Sequence, residues 1–292
     1  METFVQILVS GLTMGSMYAL AAVGLSLIFG TLGMFNMAHG MFMTLGAYAV
    51  FSAASVFGIP LFVGVVVAMV TGAIIGILAH ILIVHSMLNS REFETNIIIA
   101  TAGLAIVLES VVLKIYGGYP YPQPIKVDGS FFLGGVSVTY QALVIMFVAI
   151  ICIGLVAWLL LKTRFGRAIR ATSMNRDAAR LMGVRTNTVY LQVMALAGAL
   201  AGVAGMMIST LTTLSPQMGS DPLLKAFVIC VVAGLGNVWG AGGCAVALAL
   251  IEVAIGYFFG VRFGFPAMLV LVIIVLIWRP LGLFGKEKVV RL

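Results

Sequence analysis

Apolar residues in this chain do not alternate with polar ones but gather into long runs. Nine stretches, at about 4–29, 40–57, 60–84, 95–116, 138–161, 188–213, 223–237, 240–260 and 264–278, are almost free of charge. A helix needs about 20 apolar residues to cross the hydrocarbon core of a bilayer. Most of these runs reach that length. The first is long enough to be tilted or broken, and the second and seventh are short enough to be half-helices. The pattern predicts an all-α polytopic membrane protein of about 8–10 transmembrane helices, folded as one domain over 1–292.

Composition points the same way. The 292 residues carry 16 Lys+Arg and 9 Asp+Glu, so 9% of the chain is charged and 62% is apolar. A soluble domain has about 25% charged residues, and so few charges could not cover a soluble surface of this size. A soluble enzyme, a nucleic-acid-binding domain and a disordered regulator are thereby excluded. Cys152, Cys230 and Cys244 fall inside apolar runs, where they act as small hydrophobes, and no metal-ligand spacing occurs. The start of the chain, Met1-Glu2-Thr3-Phe4, lacks a basic region, so the first run is expected to remain as a membrane segment.

The net charge of +7 is distributed as a topology signal. Loop 162–187 holds Lys162, Arg164, Arg167, Arg170, Arg176, Arg180 and Arg185 against one acid, Asp177, and is assigned to the cytoplasm. From there, runs 188–213, 223–237, 240–260 and 264–278 make four crossings. They return the tail, with Lys286, Lys288 and Arg291, to the same side. Working backwards puts 117–137 outside, with its non-helical Tyr119-Pro120-Tyr121-Pro122-Gln123-Pro124, and leaves the N-terminus outside.

Several polar interruptions could carry function. Asn36-Met37-Ala38-His39-Gly40 breaks two apolar runs, and at membrane depth its backbone must be packed in protein or line a cavity. It is either a simple helix–helix turn or the inner mouth of a pathway. The Gly-rich turns Gly30–Gly40 and Gly234–Gly243 look alike and suggest a parallel repeat. Ionisable groups within runs are few: Glu109 and Lys114 in the fourth, Glu252 in the eighth and His80 near the end of the third. Such groups face a bundle interior or a wet cavity. Lys114 can snorkel, and His80 and His85 are expected near the interface. Glu252 has no basic neighbour in its own helix, so it needs a polar partner elsewhere or a place on a transport route. Gly11 and Gly15, Gly72 and Gly76, and Gly198 and Gly202 have the spacing of close helix packing within the chain. No G-x-x-x-x-G-K-[ST] occurs, and Gly285-Lys286 is followed by Glu287, so ATP hydrolysis through a P-loop of its own is excluded.

The basic loop has no Pro, and its only Gly residues are Gly166 and Gly183. The spacing predicts a helix over about 166–183, closed at Gly183. Asp177-Ala178-Ala179-x-x-x-Gly183 resembles the E-A-A-x-x-x-G coupling loop of ABC importer permeases, with Asp for Glu. The stretches 15–20, 36–40, 166–171, 225–227, 234–237 and 279–285 are similar, in the same order, to the branched-chain amino acid permease family. The likeness runs from about residue 10 to 286. Two places depart from it. His85-Ser86-Met87-Leu88-Asn89-Ser90-Arg91 stands where relatives carry an Arg-Pro stretch, and Met41 stands where an acid is frequent.

This resemblance implies the ABC importer permease fold in a bacterial cytoplasmic membrane. The partners it implies are a second permease subunit, homologous or identical, two cytoplasmic ATP-binding subunits and an external binding protein. No cofactor is expected in this chain, ATP and Mg being used by the partner subunits. Gly166, Arg167, Arg170, Asp177, Ala178, Ala179 and Gly183 would couple to the ATPase, as a rigid helix about 25 Å long. Cargo would pass near Asn36, His39, Gly40, Glu109, Gly234, Gly236, Asn237 and Glu252. Branched-chain amino acids are the default cargo, with urea or short-chain amides as the alternative within the family. A stand-alone secondary carrier is the alternative outside it.

Overall fold

The computed structural model describes residues 2–88, 90, 92–133 and 135–285. The tail residues Lys286, Lys288 and Arg291, and Asn89 and Arg91 of the departing stretch, lie outside the described residues. The helices are α1 (Glu2–Leu32), α2 (His39–Phe57), α3 (Leu61–Met87), α4 (Phe93–Tyr116), α5 (Tyr140–Lys162), α6 (Arg164–Met174), α7 (Arg176–Leu181), α8 (Thr186–Leu211), α9 (Ser220–Ala233), α10 (Val238–Phe259) and α11 (Val261–Trp278). A small antiparallel hairpin, β1 (Ser130–Leu133) and β2 (Val136–Thr139), precedes α5. Among the described residues, eight helices are long and apolar enough to cross a membrane: α1 to α5, α8, α10 and α11. The protein is therefore an all-α, multi-pass membrane protein. The seventh apolar run is the exception, since its helix, α9, has 14 residues. That is about 21 Å, too short for a core about 30 Å thick.

The two ends of the bundle are distinct. Glu2 packs against Gly135 of the hairpin, so α1 starts at the hairpin end and finishes at the end bearing the Arg-rich segment. Asn187 Nδ2 donates to His85 Nδ1 at 2.9 Å, which puts the end of α3 and the start of α8 together at the Arg-rich end. The tail reaches that end too, because Leu283 N donates to Val232 O at 2.8 Å and Phe284 N to Ala233 O at 3.0 Å. These bonds satisfy carbonyls that the end of α9 leaves without intrahelical donors. The start of the chain and residues 279–285 thus lie at opposite ends of the bundle.

Helix pairing explains the spaced glycines. Gly11 and Gly15 of α1 lie against Leu250 and Val246 of α10, whereas Gly72 and Gly76 of α3 lie against Gly198 and Met194 of α8. Both pairs run antiparallel with backbones in contact, which small residues alone permit in lipid. The repeat is accordingly inverted, with α1, α2 and α3 corresponding to α8, α9 and α10 in opposite directions. The similar turns Gly30–Gly40 and Gly234–Gly243 suggested a parallel repeat. Gly30 and Gly236 pack together at one end, as the shared orientation of the turns requires, while Asn36–Gly40 lies deeper, at the start of α2. The likeness of the turns does not reflect the relation of the helices around them.

A side chain at the α3–α8 crossing has nowhere to go. Gly72→Val should destabilise the protein by about 3 kcal/mol, the upper end for overpacking. Gly103→Ala, on α4 with open space beside it, should be near neutral. Thermal unfolding of the purified variants in detergent checks both.

Candidate functional site

Two helices start in the interior of the bundle. The chain leaves α1 at Leu32 and returns without helical structure through 33–36, and α2 begins at His39. His39 Nε2–H donates to Ala21 O at 3.2 Å, so α2 starts level with Ala21. That is about 6 Å from the midpoint of α1. From the other end, the chain leaves α8 at Leu211, is tied to the Pro-rich segment by a Tyr121–Leu214 bridge, and starts α9 at Ser220. Gly40 and Gly219 touch backbone to backbone. Two helix N-termini thus meet at mid-depth, one entered from each end of the bundle.

Hydrogen bonds within the protein satisfy this backbone, which lipid cannot. Asn36 Oδ1 accepts from Ala38 N at 3.0 Å, and Met37 N donates to Thr101 Oγ1 on α4 at 3.1 Å. Thr44 Oγ1 donates to Gly40 O and accepts from Gly219 N, each at 3.2 Å, joining both interruptions through one hydroxyl. His39 and Asn36 are fully buried, yet His39 Nδ1 and Asn36 Nδ2 have no protein partner among the described residues. Thr44 and Thr101 went unnoticed in the sequence, because a threonine within an apolar run carries no pattern of its own.

Glu252 meets its partner from another helix. Lys225 Nζ, on α9, lies 2.6 Å from Glu252 Oε1 and 2.7 Å from Tyr18 OH. With side chains 16% and 11% exposed, this is a largely buried ion pair, and it is the only one among the described residues. It pins the short α9 between α1 and α10. Glu109 is separate: its Oε1 accepts from Gln217 Nε2 at 2.8 Å, in the coil before α9. Lys114 is exposed at the same helix's hairpin end.

Gly234, Gly236 and Asn237 lie elsewhere, at the Arg-rich end. Gly234 packs against Gly282 and Gly285, and Asn237 Nδ2 donates to Phe284 O at 3.0 Å while its Oδ1 caps α10 through Gly240 N. The stretches 234–237 and 279–285 are therefore two halves of one clamp. The eight residues singled out in the sequence fall into four places, the start of α2, Glu252 with Lys225, Glu109 with Gln217, and this clamp, rather than one site.

The Arg-rich segment is not a single helix. Asn175 is extended (φ −157°, ψ 112°) and separates α6 from α7. Its Oδ1 accepts from Asp177 N and Ala178 N, both at 3.0 Å, and so restarts the helix. The continuous helix expected over 166–183 is thus a bent pair, because an asparagine competes for backbone donors at that position. Gly183 closes α7 as anticipated: with φ +83°, it donates to Arg180 O while Val184 N donates to Ala179 O, both at 3.0 Å.

The elbow is bound to the bundle at both ends. Gly166 sits on the Leu159 and Leu160 carbonyls, and Arg170 donates to Leu160 O at the end of α5. Arg180 Nε donates to Thr186 Oγ1 at 2.9 Å, and Arg176 lies over the Tyr190 ring at 5.5 Å, both on α8. Ala179 is buried while Ala178, Asp177 and Arg167 are exposed, so one alanine of the pair faces inward. Met174, Leu181 and Met182 are 87%, 88% and 86% exposed.

Lys225→Met leaves Glu252 as an uncompensated buried charge and should destabilise the protein by about 3–5 kcal/mol. The double variant Lys225→Met/Glu252→Leu should regain most of that loss in thermal unfolding.

Comparison with known proteins follows the same outline. The family model described as branched-chain amino acid transport system / permease component matches residues 7–278. The high-affinity branched-chain amino acid transport system permease protein BraD of Pseudomonas aeruginosa is 27% identical over 298 residues, covering 98% of this chain and 97% of BraD. The corresponding LivH of Salmonella typhimurium is 28% identical over 300 residues, with 98% and 97% covered. The probable permease LivH of Methanocaldococcus jannaschii is 28% identical over 296 residues, with 96% and 92% covered. No solved structure matches the chain. With both the helical membrane architecture and the family model extending over nearly its whole length, the chain belongs to the family of permease components of branched-chain amino acid transport systems.

Proposed function

We propose that this chain is the membrane-spanning permease subunit of an ATP-driven importer in a bacterial cytoplasmic membrane. It translocates branched-chain amino acids handed over by an external binding protein. The family match over residues 7–278 carries this reading. The complex contains a second permease subunit and two ATP-binding subunits, which supply the hydrolysis for which this chain has no P-loop motif. The Arg-rich end faces the cytoplasm by the bias of basic residues, which leaves the hairpin end to receive the binding protein.

The elbow α6–α7 is the docking element for the ATP-binding subunit. Large apolar side chains exposed outside the spans, Met174, Leu181 and Met182, are the kind of surface a protein partner covers. Force on the elbow reaches α5 through Gly166 and Arg170, and α8 through Arg176 and Arg180. Helix α8 packs on α3 and, through Gly205, on the Met43 backbone in the first turns of α2. A tilt of α8 therefore shifts the start of α2, where Asn36, His39 and Gly40 lie. Cargo passes beside that interruption and Glu109, while the clamp of Gly234, Gly236 and Asn237 shapes the cytoplasmic end. Glu252 acts through Lys225, as a positioning residue for α9.

Uptake into proteoliposomes containing the whole complex tests this. ATP-dependent accumulation of leucine, with the binding protein present, is the expected result. Accumulation of urea or a short amide instead would keep the machine and replace the cargo. Uptake by this chain alone without ATP would overturn the reading. Within the complex, Ala178→Glu and Leu181→Asp should each lower uptake and cargo-stimulated ATP hydrolysis at least about tenfold, the rate consequence of losing roughly 1.4 kcal/mol of coupling. Membrane insertion should be unchanged. Ala179→Glu, at a buried position, should instead reduce the amount of folded protein.

A further inference from the structure

One side of the bundle presents charge and non-helical backbone at membrane depth. Asp221, in the first turn of α9, lies one helical turn before Lys225, whose Nζ reaches Tyr18 near the middle of α1. Asp221 and Ser220 are exposed, as is Gln217 in the coil that leads to them. Gln217 O accepts from Ser220 N at 3.0 Å, and Gln217 Nε2 donates to half-exposed Glu109. Gln217 thus ties α4 to the coil, and the exposed Ser220 and Asp221 follow it at the start of α9. Lys225, one turn beyond Asp221, is neutralised by Glu252, so Asp221 and Glu109 are without an ion-pair partner among the described residues.

Lipid solvates neither an unpaired carboxylate nor irregular backbone at this depth; both persist where protein covers them or water fills a cavity. The exposed membrane surface also carries large apolar side chains, such as Val66 and Ile74 on α3 and Ile106 and Val107 on α4. The two acids are therefore set apart from these side chains by chemistry, not by exposure.

We propose that Glu109, Gln217, Ser220 and Asp221 form one wall of the water-filled translocation path, closed on its far side by the second permease subunit. Asp221 and Glu109 there receive the ammonium group of a zwitterionic cargo. This rests on the permease reading above but adds residues, an electrostatic sign and a location. The two acids make the wall select for the positive end of the cargo, while the apolar side chain slides along neighbouring surfaces such as Leu224.

Thiol labelling in the assembled transporter tests the wall without depending on which cargo is moved. Ser220→Cys and, as a second position, Gln217→Cys are treated with a cationic trimethylammonium thiosulfonate and an anionic sulfonate thiosulfonate. The native buried Cys152, Cys230 and Cys244 set the background. The cationic reagent should label both positions at least about tenfold faster than a Val66→Cys control on the lipid face. Its preference over the anionic reagent should drop several-fold when Asp221→Asn is added. Labelling no faster than the control at both positions would overturn the wall, whether lipid or tight partner contact covers it. Rapid labelling with a charge preference insensitive to Asp221→Asn would overturn the role of the acid. A complex that labels as expected but does not accumulate leucine would instead count against the cargo in the permease reading.

Discussion

Lipid offers no hydrogen-bond partners at the depth where α2 and α9 begin, and this constraint governs the rest of the fold. Each interruption exposes amides and carbonyls that an unbroken helix would satisfy itself. The chain answers with Asn36 folding onto Ala38, Thr101 accepting from Met37, and Thr44 serving Gly40 and Gly219 together. Those bonds require the two interruptions to touch, and they can touch only because both contact residues are glycines. The neighbouring helices must then approach closely enough to enclose them. That is the task of the glycine pairs at the α1–α10 and α3–α8 crossings.

The inverted arrangement follows from the same need. A helix beginning at mid-depth leaves half of its membrane cross-section to be crossed by coil, and coil is tolerable only against protein or water. Placing one interruption in each direction lets each coil pack beside the other's helix start. The ion pair Lys225–Glu252 then fixes the shorter of the two helices, which has too few residues to anchor itself at both membrane surfaces. Tail residues 283–284 secure its other end by donating to the Val232 and Ala233 carbonyls. The α6–α7 elbow is bound to α8, which in turn packs on α3 and on the Met43 backbone of α2.

Helical class, the position of the spans and the basic loop were legible in the sequence, since run length and charge are local properties. The resemblance carried by Asp177-Ala178-Ala179-x-x-x-Gly183 and its companion stretches pointed to the permease family on the same local grounds. The bend at Asn175 was not anticipated, although an asparagine before Arg-Asp is a recognisable helix start once a break is suspected. Glu252 stood out as a charge in an apolar run, but its partner Lys225, 27 positions earlier, did not. Nor did Asp221, which looks like an ordinary loop acid until the depth of α9 is known.

The sequence by itself determined that this chain crosses a membrane many times, which of its loops is the most basic, and which family its motifs resemble. These depend on composition and short-range spacing. Only the tertiary structure decided that the seventh run starts halfway through the bundle, that the repeat is inverted, and that Gly30 packs against Gly236. It also separated Gly234, Gly236 and Asn237 from His39 and joined Glu109 to Gln217. Depth and adjacency are set by which helices touch. In lipid that choice is made by backbone approach and hydrogen-bond closure between segments far apart in the chain, and no local pattern records it.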